Sequence, residues 1–224
     1  MLYHDKKGEI YLLADLNLYD LLNKGGLLVW PILLCSLVGM TIFFERLMLY
    51  RNILKFRGNN DSVFSMISSG DHAKTRELLT ESDTKHAIDK RIILEALDTH
   101  TTDRDTVEMV LIHGVDREIT SLSRTLNTLA VLASVAPLLG LLGTVIGMIK
   151  AFIVVEDMGG GVNAAVLAGG IWEAMLTTAF GLLAAIPLLF FHNHLEGKLE
   201  DIQAELENVA IAFMKAWAEG KEHI

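Results

Sequence analysis

A single carboxylate, Glu173, interrupts an apolar stretch that runs from Met158 to Phe191 with no other charge in it. On insertion scales a carboxylate at membrane depth costs about 2.5–3.5 kcal/mol, so such a residue keeps a partner, a proton or water beside it and is a candidate for ion handling. The alternative is that Glu173 lies close enough to the outer interface to be solvated. Thr144, Thr177 and Thr178 add hydroxyls in the same apolar surroundings. Their alternative role is a bond to a backbone carbonyl one turn back in the same helix.

These residues need elements to position them, and the composition says which. Of the 224 residues 51% are hydrophobic, and they fall in long uninterrupted runs. No charge occurs over the 18 residues from Leu27 to Phe44, the 25 from Thr125 to Ile149, or the 18 from Ala174 to Phe191. A helical span needs about 20 mostly apolar residues, so an all-α membrane protein with three transmembrane helices is expected. Asp5, Glu9, Asp15 and Asp20 precede the first run and no small-residue cleavage site follows it, so it does not read as a cleavable signal peptide. Cys35 is the only cysteine and lies in that first span, which excludes an intrachain disulfide and makes packing its expected role. The net charge of −9 argues against nucleic acid as a partner.

Orientation follows from the basic residues beside the spans. Arg46, Arg51, Lys55 and Arg57 follow the first, Arg117 and Arg124 precede the second, and Lys198 follows the third, so those flanks are expected in the cytoplasm. The chain then divides into a periplasmic N-terminal segment (1–25), a first span (26–49), a cytoplasmic helical loop (50–124), a second span (125–153), a short periplasmic loop (154–167), a third span (168–192) and a cytoplasmic helical tail (193–224). Gly58-Asn59-Asn60 and Ser68-Ser69-Gly70-Asp71 read as turn or cap signals, with Asp71 near an N-cap. Val107, Val110, Leu111, Val115, Ile119 and Leu122 recur at helical spacing and run without a breaker into the second span. Leu195, Leu199, Ile202, Leu206, Val209, Phe213 and Trp217 do the same beyond the third, so both spans are expected to continue as long helices. The tail stripe needs a covering surface, either the chain's own helices or a second subunit.

No soluble-enzyme constellation stands out. The serines lack a nucleophile elbow, Gly140-Leu141-Leu142-Gly143-Thr144 lacks the lysine of a phosphate-binding loop, and His192 and His194 project differently on a helix. Neither an enzyme, a metal site nor a cofactor is expected. The second span instead combines Pro137 with Gly140, Gly143 and Gly147, small residues that let helices approach closely in lipid. At a rise of about 1.5 Å per residue, Thr144 and Thr178 lie roughly 14 and 15 Å from the outer boundary, near the bilayer middle. Glu173 is then roughly 8 Å deep and Lys150 roughly 5 Å, so a salt bridge between them is within reach. A relay at the midplane wants a group that titrates near neutral pH, and threonine does not. A carboxylate from another chain would complete the site.

The stretches APLLGLLGTVIGMIKAF (Ala136 to Phe152) and GIWEAMLTTAFGLLAAIPLLFFHNHLE (Gly170 to Glu196) resemble the two hallmark helices of the MotA/TolQ/ExbB proton-channel family. With three spans rather than the four of flagellar stators, the chain is most similar to the ExbB/TolQ branch. The resemblance implies a homopentamer in the bacterial inner membrane around the single-span helices of an ExbD/TolR-like dimer. That partner would supply the missing aspartate, and proton flow would drive work on a TonB- or TolA-like protein. It implies pore-facing roles for Thr144, Thr178 and Glu173, with Thr177 beside them, whereas Lys150 departs from the neutral polar residue usual there. The expected function is that of an ExbB-type motor subunit energising TonB-dependent transport. A TolQ-type role in envelope maintenance and a non-conducting membrane scaffold are the alternatives.

Overall fold

The computed structural model describes residues 25–55, 61–69, 72–81, 88–99, 103–157 and 164–222. Residues 1–24, and with them nearly all of the expected N-terminal segment, lie outside it, as do Gly58-Asn59-Asn60, Gly70-Asp71 and the Gly159-Gly160-Gly161 turn. Every regular element among the described residues is a helix: α1 (Val29–Lys55), α2 (Asp61–Ser68), α3 (His72–Glu81), α4 (Ile88–Asp98), α5 (Arg104–Asp157) and α6 (Ala164–Glu222). Three of them, α1, α5 and α6, are long and apolar enough to cross a membrane. The second and third apolar runs do continue without a break, as helices of 54 and 59 residues.

Within the apolar window of α1 only 11% of residues are buried by the rest of the chain, and in α5 and α6 only 22% and 28%. Leu34, Leu37, Leu138, Leu183, Ile186 and Phe190 are among the large side chains left open. A surface this apolar needs lipid or further protein around it.

The described residues form two compact units, one of those up to 41 together with those from 129 to 191, the other of those from 42 to 128 together with those from 192 onward. The first is held by close backbone approach. Leu188 occupies the space that a side chain on Gly39 would need, and Ile32, Ala136, Ala184 and Ala185 form a small core with Leu139 and Phe180 against it. Between α5 and α6 a seam of small residues runs antiparallel: Ala136 meets Gly181, Gly140 meets Thr178, Gly143 meets Thr177, Gly147 meets Ala174 and Ala151 meets Gly170. The spacing is three or four residues throughout on α5, and on α6 everywhere but at the adjacent Thr177 and Thr178, which keeps one face of each helix on the seam over its whole length. A Cβ on Gly181 would stand 2.8 Å from the Ala136 carbonyl oxygen and 3.0 Å from Gly140 Cα, so the helices meet backbone to backbone.

The second unit packs like a soluble bundle. Val107, Leu111, Val115 and Leu122 are buried, and so is every member of the tail stripe from Leu195 to Trp217. That settles the tail's covering surface: these residues pack within the chain itself. The Tyr50 hydroxyl donates to the Leu122 carbonyl at 3.1 Å, Arg46 donates to the Thr125 hydroxyl, and the backbone of Gly220 lies against the Ile67 carbonyl. Arg117 forks onto both oxygens of Glu95 at 3.0 and 2.6 Å, and Arg91 reaches Glu118 at 2.8 Å, pinning α4 to α5. The hydrogen bonds from Arg117 hold the Glu95 carboxyl below the usual carboxylate range. Asp103 caps α5, accepting from the Thr106 backbone N–H at 3.1 Å.

Candidate functional site

The candidate polar residues Thr144, Lys150, Glu173, Thr177 and Thr178 fall on or beside the α5–α6 seam, all within the first unit. Thr178 donates its hydroxyl proton to the Gly140 carbonyl across the seam at 2.9 Å. The approach is short because Gly140 has no side chain; a Cβ there would lie 3.1 Å from Thr178 Cα. Thr144, one turn along α5 from Gly140, donates to the Leu141 carbonyl at 2.6 Å, the same-helix bond that threonine makes by default in lipid. Both side chains are partly exposed. Each hydroxyl thus has its proton committed to a backbone carbonyl and its lone pairs free. Such a group accepts hydrogen bonds and gives none, so the next group in line must be a donor.

Thr177, expected with the pore-facing set, is placed otherwise. It is 2% exposed, its methyl fills the space left by Gly143, and its hydroxyl lies 2.7 Å from the Gly25 carbonyl and 2.9 Å from the Glu173 carbonyl. One step along a helix turns a side chain through about 100°, so Thr178 clears the interior that Thr177 enters.

Glu173 and Lys150 meet, with Nζ 3.7 Å from Oε1, the lysine exposed and the glutamate half-buried. Lys150 lies three residues beyond Gly147 and Glu173 one residue before Ala174, on the side of that contact towards the ends of α5 and α6 that the short connection joins. Sequence reasoning missed the third party to this pair. Gly25 and Gly26 lead into α1, and Gly26 has φ +74°, a conformation that costs an L side chain energy. A Cβ on Gly26 would lie 2.6 Å from Glu173 Oε1. The Gly-Gly pair was the available signal, but it does not say what comes to rest against it.

Gly140, Gly143 and Gly147 all lie on the seam, and Pro137 sits within α5 beside it. His192 contacts Glu196 at 3.8 Å on its own helix. No cluster of three metal-ligating side chains occurs among the described residues.

A family model described as the MotA/TolQ/ExbB proton channel family matches residues 84–208. An ExbB-like biopolymer transport protein of Synechocystis is 32% identical over 182 residues, covering 79% of this chain and 70% of its own length. The biopolymer transport protein exbB1 of Vibrio cholerae is 28% identical over 209 residues, covering 91% and 90%. The Tol-Pal system protein TolQ of Haemophilus influenzae is 40% identical over a shorter 98 residues, 42% of this chain and 41% of that one. The solved structure of C. jejuni MotAB superposes with a TM-score of 0.61 at 17% identity, covering 95% of this chain and 84% of that chain, a likeness of fold. With apolar helices of spanning length, a small-residue seam and this match over more than half its length, the chain is a membrane protein that belongs to the MotA/TolQ/ExbB proton channel family.

Proposed function

We propose that the chain is the channel-forming subunit of a proton-driven motor of the ExbB type in a bacterial inner membrane, built as a homopentamer around a single-span partner dimer of the ExbD kind. The observation that carries this reading is the state of the two midplane threonines. Thr144 and Thr178 have spent their protons on Leu141 and Gly140 and present acceptor lone pairs. Lys150 and Glu173, the ionisable side chains nearby among the described residues, are matched to each other. The site is therefore complementary to a protonated carboxylic acid, which the chain itself does not supply at that level. A partner aspartate that is neutral against the threonines and charged when it meets water would cycle once per proton. The small fraction of the apolar windows buried within one chain supports an assembly in which neighbouring copies and the partner cover the rest.

The N-terminus outside, the C-terminal half of α6 in the cytoplasm and the work delivered to a TonB-like protein belong to the same proposal. The TolQ relative, 40% identical over its shorter match, keeps a second reading beside it, envelope maintenance in a Tol-Pal-type system. Native mass spectrometry of the chain co-expressed with a single-span partner of the ExbD kind tests the assembly. A complex of five copies with two partner chains is expected. A monomer or dimer as the largest species would overturn the motor reading.

A further inference from the structure

The Gly25–Gly26 turn is unusual for what it touches. It precedes α1, whose Val29 N–H donates to the Gly26 carbonyl at 3.3 Å, and both its residues also reach α6: the Gly25 carbonyl takes the Thr177 hydroxyl at 2.7 Å, and the Cα of Gly26 faces Glu173 Oε1 so closely that a Cβ would come within 2.6 Å of it. Glu173 and Thr177 are four residues apart, one helical turn, so the two contacts stack on one face of α6. The same Oε1 is the atom that meets Lys150 on α5 at 3.7 Å. Two helices and the turn that leads into a third therefore converge on one carboxylate oxygen.

We infer that the Gly25–Gly26 turn positions Glu173: it forms the wall that turns the carboxylate towards Lys150, and Thr177 locks that wall in place. The argument is steric and electrostatic. A glutamate side chain has three rotatable bonds and a free choice of rotamer on an open helix face. Here one side of its range is closed by the turn, and the side that remains leads to the cation. Gly26 serves because a hydrogen is all that fits between its Cα and Oε1, and because its φ of +74° is cheap only without a Cβ. Thr177 serves because it is buried and its hydroxyl has two carbonyls within reach, Glu173 on its own helix and Gly25 on the turn, bridging the two. Gly26 and Thr177 are positioning residues, acting through Glu173 rather than on a proton.

The test reads the geometry of the pair in the purified full-length protein. A hydrophobic carbodiimide activates the Glu173 carboxylate as an acylisourea; the Lys150 amine displaces the urea, and the two side chains become joined by an amide with one water lost. Proteolysis and mass spectrometry then quantify the joined peptides. Gly26→Ala is expected to lower the yield by roughly fivefold or more, the factor that about 1 kcal/mol of lost preference produces. Thr177→Val should do the same and Thr177→Ser should stay near wild type, because serine keeps the hydroxyl. Gly169→Ala, on α6 with open space around it, is the control and should leave the yield unchanged. Wild-type yield in either Gly26→Ala or Thr177→Val overturns the inference, as does an equal fall in Gly169→Ala. Should Gly26→Ala not accumulate, the Thr177 variants decide alone. The inference rests on the same membrane placement as the proposed function but not on proton conduction, so its failure leaves the motor reading standing, and the assembly experiment can fail without touching it.

Discussion

Replacing Thr178 by valine removes one oxygen and keeps the shape, which separates what the hydroxyl does for the fold from what it does for conduction. Structurally the loss is small. The Gly140 carbonyl that accepts from Thr178 at 2.9 Å also lies inside α5, where a backbone N–H four residues on is its regular partner, so no acceptor is orphaned. Interhelical bonds of this kind in membranes are worth about 0.6 kcal/mol on average and up to about 1.7. A loss of about 1 kcal/mol would move the melting temperature of a chain this size by roughly 2–4 °C. Assembly should survive. Functionally the loss is larger, because a protonated carboxylic acid arriving at that level would meet a methyl group. An unmet polar group in a desolvated site costs about 1–3 kcal/mol, which on the barrier to each transfer is roughly 5–150-fold in rate. The assay is proton uptake into liposomes holding the chain with its partner and a trapped pH dye, beside native mass spectrometry of the same preparation. Full flux in Thr178→Val would remove that threonine from the proton path. Loss of the assembled complex would show that the bond to Gly140 is structural.

Glu173→Gln should impair flux nearly as much as Glu173→Ala, because both leave Lys150 without its counter-charge, and exchanging the two residues should restore it; a wild-type rate in the glutamine variant would make Glu173 a neutral hydrogen-bonding group. Gly181→Ala should destabilise by about 1–3 kcal/mol, since its Cβ would meet backbone on α5 that cannot swing aside, whereas Gly197→Ala, with open space around it, should be neutral or gain about 0.5–1 kcal/mol in thermal melts. The Glu95–Arg117 fork is exposed and worth under about 1 kcal/mol. Its carboxyl is lowered from 4.5 by the bonds from Arg117, so its stabilisation is complete above the unfolded value and lost as pH falls through the lower folded one; the melting difference between wild type and Arg117→Ala should be constant at neutral pH and vanish in acid.

How far the sequence reaches is clearest along the seam. The three spans and their unbroken continuations follow from hydropathy and period, and counting residues down from the outer boundary brings Lys150 level with Glu173 because depth along a helix is nearly linear in residue number. Depth says nothing about azimuth, and there the reading of Thr177 and Thr178 parts from the structure: adjacent, equally deep, and facing different neighbours. The α5 glycines of the seam, Gly140, Gly143 and Gly147, stand out in the sequence. Its alanines, Ala136, Ala151 and Ala174, do not, since alanine is ordinary anywhere in a helix. The contact of Gly26 with Glu173 joins residues nearly 150 positions apart and depends on a backbone angle, so no local pattern announces it.

The two prolines inside the long helices, Pro137 in α5 and Pro187 in α6, bear on how such an assembly could move. Neither has an N–H, so the bonds that would close on the carbonyls of residues 133 and 183 are missing from the outset. One proton crossing 100 mV releases about 2.3 kcal/mol, while opening a backbone bond in hydrocarbon costs several. A stroke that had to unzip a helix would stall on that arithmetic. Flexure at a joint where the bond was never made draws on no such store, which leaves the small energy of each ion for displacing the load.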